Sequence, residues 1–281
     1  MRFQRLSGIQ QACLFALSVF VFSPLMIAQA QSTSSPASNQ TFAPGTDPQA
    51  SSLALRSIAA LAGKEVIRDL TLTGTATWGT GDRQTGTVVL RALGSTESSI
   101  DLAFSDGTRT EIRDASAGYT QGKWVNPDGK SGMFAGHNTM TDAVWFFPAF
   151  SSLVANPNVV LSYVGLENRN GESVQHLRSS IYQSSPPPDP SLSQQPLTTM
   201  DFYLDAGSSL PVAIEFNQHP DNNARVNIPV EIVFSNYQSI NGALVPMHIQ
   251  KTSNGATILD ITVTGVVFNS GLTLSEFSVN E

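Results

Sequence analysis

Between Phe202 and Val263, apolar side chains fall at every second position in five successive runs. These are Phe202 and Leu204; Val212, Ile214 and Phe216; Ile228, Val230, Ile232 and Phe234; Val245, Met247 and Ile249; and Leu259, Ile261 and Val263. A two-residue period sends alternate side chains to opposite faces of an extended chain, so each run predicts a strand with one dry face and one wet face. Asn241-Gly242 and Asn254-Gly255 join the later runs, and both dipeptides accept the positive φ angles of a tight hairpin. The last third is therefore an antiparallel meander whose single apolar face has to be covered.

The same period occurs earlier. Leu70, Leu72, Gly74, Ala76 and Trp78 alternate with Thr71, Thr73, Thr75 and Thr77, and Ile100, Leu102 and Phe104 alternate with polar neighbours before an Asp106-Gly107 turn. Strand signals also cover residues 159–166 and 172–182, separated by the turn Asn168-Arg169-Asn170-Gly171. Ahead of all these the period is helical. Asp47-Pro48 offers an N-cap and a favourable first residue, Ala54, Ile58 and Leu61 share a face, and Gly63 can end the element, which predicts one helix over 47–62.

Two stretches break the pattern. Asp142-Ala143-Val144-Trp145-Phe146-Phe147-Pro148-Ala149-Phe150 is dense in aromatics without alternation, so it predicts two short helical turns hinged at Pro148. Residues 184–197, with Pro186-Pro187-Pro188, form a Pro-rich loop that brings no core residues.

The N-terminus carries an address. Arg2 and Arg5 precede an apolar run over 12–27 and then Ala28-Gln29-Ala30, the order of a signal peptide, with cleavage expected after Ala30. Ser18 and Ser23-Pro24 break the run, which is short of the roughly 18–20 unbroken apolar residues of a membrane span. The expected mature chain is periplasmic or secreted, without a transmembrane segment. Residues 31–46 are Ser, Thr, Gln, Asn, Pro and Ala with little to bury, which predicts a disordered leader before a single domain over 47–281. Cys13, the one cysteine, lies in the segment to be removed, so no disulfide or thiolate ligand is expected afterwards. Losing Arg2 and Arg5 takes the net charge from −7 to −9, and no basic patch suits nucleic acid or anionic head groups.

The pattern Phe202-Tyr203-Leu204-Asp205, Leu210-Pro211-Val212, Phe234-Ser235-Asn236-Tyr237, Gly242, Val245-Pro246 and Ile261-Thr262-Val263 through Phe268-Asn269 resembles the C-terminal half of the periplasmic lipoprotein-carrier superfamily, the LolA/LolB-like proteins. The resemblance is strongest over 199–277. It implies a mainly β (α+β) fold, an unclosed antiparallel half-barrel with an N-terminal helix and a short helical lid, whose concave apolar face shelters acyl chains. The stretch 142–150 would belong to that lid. Family carriers also place a basic residue in the cavity, and no motif here aligns to it, so neither Arg91 nor any other arginine receives such a role.

There is no G-x-S-x-G elbow, no H-E-x-x-H and no Gly-rich phosphate loop, and His137, His176, His219 and His248 are scattered singly. Asn126-Pro127-Asp128-Gly129 lacks the spaced carboxylates of a calcium loop and predicts a plain turn. No enzyme activity, metal or cofactor is expected. The candidate ligand-binding residues are Trp78, Phe104, Trp124, Trp145, Phe146, Phe147 and Phe150, with Pro148 as hinge; these aromatics either line a cavity or plug one end of the sheet. Two functions fit: an exported binding protein for an acyl chain, lipid or lipidated polypeptide, or an envelope protein-interaction or sensor domain on the same scaffold.

Overall fold

The computed structural model describes residues 42–94, 97–115, 120–139, 141, 156–182, 184 and 195–279. The expected signal peptide and most of the leader, the aromatic run Trp145, Phe146, Phe147 and Phe150 with its hinge Pro148, and most of the Pro-rich loop lie outside these residues.

Helix α1 spans Pro48–Ala62, and it starts and stops where its sequence predicts. The Asp47 carboxylate accepts from the Gln49 amide at 2.6 Å, and Gly63 leaves the helix at φ 60°. The strands are β1 (Asp69–Trp78), β2 (Gln84–Leu93), β3 (Glu97–Phe104), β4 (Gly107–Asp114), β5 (Gln121–Val125) and β6 (Ser131–Met133), then β7 (Val159–Arg169), β8 (Glu172–Ile181), β9 (Met200–Asp205), β10 (Pro211–Gln218), β11 (Ile228–Ile240), β12 (Ala243–Ser253) and β13 (Ala256–Phe268). A short helix α2 (Gln195–Thr198) precedes β9, and a 3₁₀ turn (Leu274–Phe277) follows β13.

Among the described residues all 13 strands belong to one antiparallel sheet in the order β6-β5-β4-β3-β2-β1-β13-β12-β11-β10-β9-β8-β7. Two meanders, β1–β6 and β7–β13, are thus joined along the single β1–β13 seam. The hairpin turns are those the sequence announces: Asn170-Gly171, Asn241-Gly242 and Asn254-Gly255 all sit at positive φ.

The sheet is unclosed and wraps around α1. The helix packs on β12 and on β7, which are far apart in strand order. At one end the Asp47 amide donates to the Leu161 carbonyl on β7 at 2.8 Å; at the other, Gly63 fits so close to the Gly242 carbonyl of the β11–β12 turn that a Cβ would collide with it. Ala50, Leu53 and Ala54 of α1 meet Leu70, Leu72, Leu90, Leu102, Leu161, Leu177, Phe202, Ile214, Ile232, Ile249 and Ile261 in one core on the concave face. This is the mainly β half-barrel that the family resemblance implies, built from the antiparallel strands that the alternating runs predict. The core also reaches further upstream than expected: Ala43 is buried and Phe42 packs on the cluster, so the folded part takes in residues assigned to the leader. Apolar contact at Phe42 and Ala43 outweighs the polar composition around them.

Among the described residues no helix is long and apolar enough to cross a membrane.

Candidate functional site

Cross-strand register decides what faces the trough. Leu72 opposes Leu90, Leu90 opposes Ile100 and Ile100 opposes Glu111, so Arg109, Glu111 and Arg113 of β4 share the concave face with the apolar core. Glu111 in turn opposes Trp124 on β5. At this arm of the sheet the trough changes from aliphatic to aromatic and charged.

Three sequence candidates meet there. Trp78 and Phe104 stack with ring centroids 6.1 Å apart, and the Arg109 guanidinium lies 5.1 Å from the centre of the Trp78 ring and 6.0 Å from that of Trp124. All three aromatics are half-buried. Missing side chains make room for them: a Cβ on Gly86 would come within 2.8 Å of the Phe104 ring, and one on Gly132 within 2.8 Å of the Trp124 indole. Arg109 is held in place by Glu111, whose Oε1 accepts from Nε at 3.0 Å and from the terminal guanidinium nitrogen at 2.6 Å, and by the Asn126 side-chain oxygen. Asn126 opens the β5–β6 turn, which is closed by the Gly129 amide donating to Asn126 O at 2.9 Å, the plain turn expected of Asn126-Pro127-Asp128-Gly129. Deeper in the trough, burial pushes the Arg113 guanidinium down to about 10, with Glu97 opposing.

The arrangement offers a ligand two flat indole faces, a phenyl ring, and a cation that is already part-neutralised. A cation between aromatic faces is an attractive arrangement when partly desolvated, and the same faces bury acyl carbons well. Sequence reading finds Trp78, Phe104 and Trp124 but misses Arg109. The inward positions of β4 are Arg109, Glu111 and Arg113, so its concave side carries no apolar alternation; only Thr108, Thr110 and Ile112 on the other side signal a strand. Arg91 lies on the convex side, paired with Asp101 at 2.6 Å.

The convex face carries two polar groupings. In the first, Arg169 binds Glu215 at 2.5 Å and also Glu231, and lies 4.2 Å from the centre of the Tyr203 ring. Tyr203 donates to Glu215 Oε2 at 3.0 Å. Burial pushes the Tyr203 hydroxyl up, and Glu215 adds to the effect. His176 stacks on the same ring at 4.5 Å and contacts Glu167 and Asp201 at 2.7 and 2.8 Å. In the second, Ser235 Oγ lies 3.1 Å from Nδ1 of His248, whose Nε2 is 3.0 Å from Asp260. The residue types are those of a hydrolytic triad, but the ring nitrogens are used the other way round from the serine-hydrolase arrangement, and the row lies on the face turned away from the trough. His176 and His248 stay apart, on strands β8 and β12.

No family model matches the sequence and no curated protein matches it. Solved structures do resemble the fold. A putative outer membrane lipoprotein-sorting protein domain from Vibrio parahaemolyticus aligns over 82% of this chain and 96% of its own, at 15% identity and a TM-score of 0.56. A DUF1329 family protein from Desulfovibrio piger aligns over 83% and 98%, at 11% identity and a TM-score of 0.56. A LolA superfamily protein from Nitrosomonas europaea aligns over 82% and 97%, at 10% identity and a TM-score of 0.49.

Proposed function

We propose, from a chain whose fold is that of the LolA-like lipoprotein-sorting proteins, that it is an exported, non-enzymatic binding protein that shelters an acyl chain, lipid or lipidated polypeptide in the trough between sheet and helix. One observation carries the reading. The continuous apolar concave face ends, on the β1–β5 arm, in half-buried Trp78, Phe104 and Trp124 grouped around Arg109, where a purely structural core would have closed over them. The name of the similar Vibrio domain, a lipoprotein-sorting protein, supports the same ligand class. On sequence grounds the reading extends to Trp145, Phe146, Phe147 and Phe150, hinged at Pro148, as the part that closes over the ligand. On sequence grounds the reading also takes residues 1–30 as a signal peptide, which supports a periplasmic or secreted mature protein.

Organic extraction of the purified mature protein followed by mass spectrometry should recover a hydrophobic ligand, and added fatty acid should raise the Tm of the stripped protein. Repeatedly empty preparations with a Tm unmoved by fatty acid would sink the proposal.

A further inference from the structure

His137 and His219 look isolated in sequence, but their rings lie 5.9 Å apart at an interplanar angle of 74°. Their other contacts fix which nitrogens carry protons. A backbone carbonyl can only accept, so Nδ1 of His219, 3.0 Å from the Val226 carbonyl oxygen, donates to it. By the same logic Nε2 of His137 donates to the Pro220 carbonyl oxygen at 3.2 Å. Each neutral ring therefore keeps one free lone pair, at Nε2 in His219 and at Nδ1 in His137.

His219 is 4% exposed, and its Nε2 is buried with no hydrogen-bond partner. Buried polar atoms are nearly always satisfied, so an orphaned imidazole nitrogen next to a second imidazole calls for an occupant. A backbone carbonyl accepting from the far nitrogen is also what orients a metal-ligating histidine and keeps its near nitrogen basic. His137 is half-buried, which leaves a path for an ion to its Nδ1 lone pair.

We propose that His137 and His219 are two ligands of one divalent transition-metal ion of the imidazole-preferring class: copper, nickel or zinc. Among the described residues no group of three or more His, Cys, Asp or Glu is placed to hold a metal, so the ion keeps positions for water or an outside ligand. The site sits at a junction that the chain already fastens. Residues 134–139 leave the edge strand β6 and cross to the end of β10, where Asn138 Nδ2 donates to the His219 carbonyl at 2.7 Å and Asn138 Oδ1 accepts from the His219 amide at 2.9 Å. A bound ion adds a second clasp to that crossing.

The test uses the untagged protein, titrated with Cu²⁺, Ni²⁺ and Zn²⁺ by calorimetry and thermal melting. One equivalent should bind and raise the Tm, copper most tightly. His137→Ala and His219→Gln should each weaken binding about tenfold or more, while His248→Gln, on the convex face, should leave it unchanged. The Cu²⁺ complex should show electron-spin coupling to two nitrogens. Absence of saturable binding, or a His137→Ala protein that binds as well as the wild type, overturns the site. His137→Ala settles the matter even if His219→Gln fails to fold, because His137 is the less buried ring.

Discussion

Arg109 on β4 lies with its guanidinium 5.1 Å from the centre of the Trp78 ring on β1, reaching across the two intervening strands of the concave face. That contact joins a cation to the aromatic end of an otherwise aliphatic trough, and it separates ligand binding from packing in a measurable way.

If the trough end holds ligand, Trp78→Ala and Trp124→Ala should weaken fatty-acid affinity by more than they lower stability, since both indoles are only half-buried. Arg109→Met should cost about 1–3 kcal/mol of stability, because Glu111 and Asn126 lose their shared donor. Chemical denaturation and lipid titration on the same three variants check this. A pure stability loss, with normal affinity per folded molecule, would mean that the indoles are packing alone.

Asp69 gives a pH dependence with a definite sign. Burial pushes its carboxyl up, but the Ser270 hydroxyl and the backbone amides of residues 270–272 outweigh burial and hold it below the usual Asp value. Ser270 Oγ, the Ser270 amide and the Gly271 amide reach it at 2.8, 2.6 and 3.0 Å. A depressed folded value means stability that is complete above the unfolded pKa and lost as pH falls through the folded one. Unfolding free energy should therefore decline below about pH 4. Asp69→Asn should be less stable near neutrality and should show a flatter acid limb in denaturation curves taken at several pH values.

The Arg169 network should behave as a unit. Burial alone would lower the guanidinium, and Glu215 with Glu231 more than reverses it, so the charge is held firmly. Arg169→Met leaves two carboxylates facing one another beside Tyr203 and should cost about 1–3 kcal/mol. Adding Glu215→Gln to that variant should recover part of the loss, and a double-mutant cycle by urea denaturation measures it.

Ser235→Ala tests the convex-face row that resembles a hydrolytic site. Removing one partly exposed hydroxyl should change stability by less than about 1 kcal/mol. It should also leave unchanged whatever rate the wild type shows with simple ester substrates; a wild-type esterase rate abolished in the variant would argue for a hydrolytic role against the expectation of none.

What could be read in advance follows from which forces are local. The antiparallel strands were legible because their inward positions are apolar on most of them, and their turns because Asn-Gly is among the few dipeptides that favour two successive positive φ angles; the half-barrel itself came from the family resemblance. Helix α1 announced itself through Asp47, Pro48 and Gly63. The candidate site was half legible: Trp78, Phe104 and Trp124 stood out as large aromatics, whereas Arg109 became visible only once register placed β4 beside β3 and turned its charged side inward. The His137–His219 pair lay beyond any local rule, because the partners come from a loop after β6 and a loop after β10.

The β1–β13 seam has a kinetic consequence. Among the described residues every other strand pairing in the sheet joins neighbours in the chain, so each meander can form through far shorter connections, the longest being the one between Ile181 and Met200. The seam alone closes a long one: Asp69 and Ser270 are 201 residues apart in sequence. Closing it brings a loop entropy that the hairpins avoid, which makes zipping β1 to β13 the slow event. Until it happens, both strands are open edges with one apolar side, the form of chain most prone to pair with another copy. Gly74 sits at the seam's irregularity, where a Cβ would collide with the Thr262 carbonyl. A side chain there should slow refolding and raise aggregation during it, while leaving the hairpins of either meander intact.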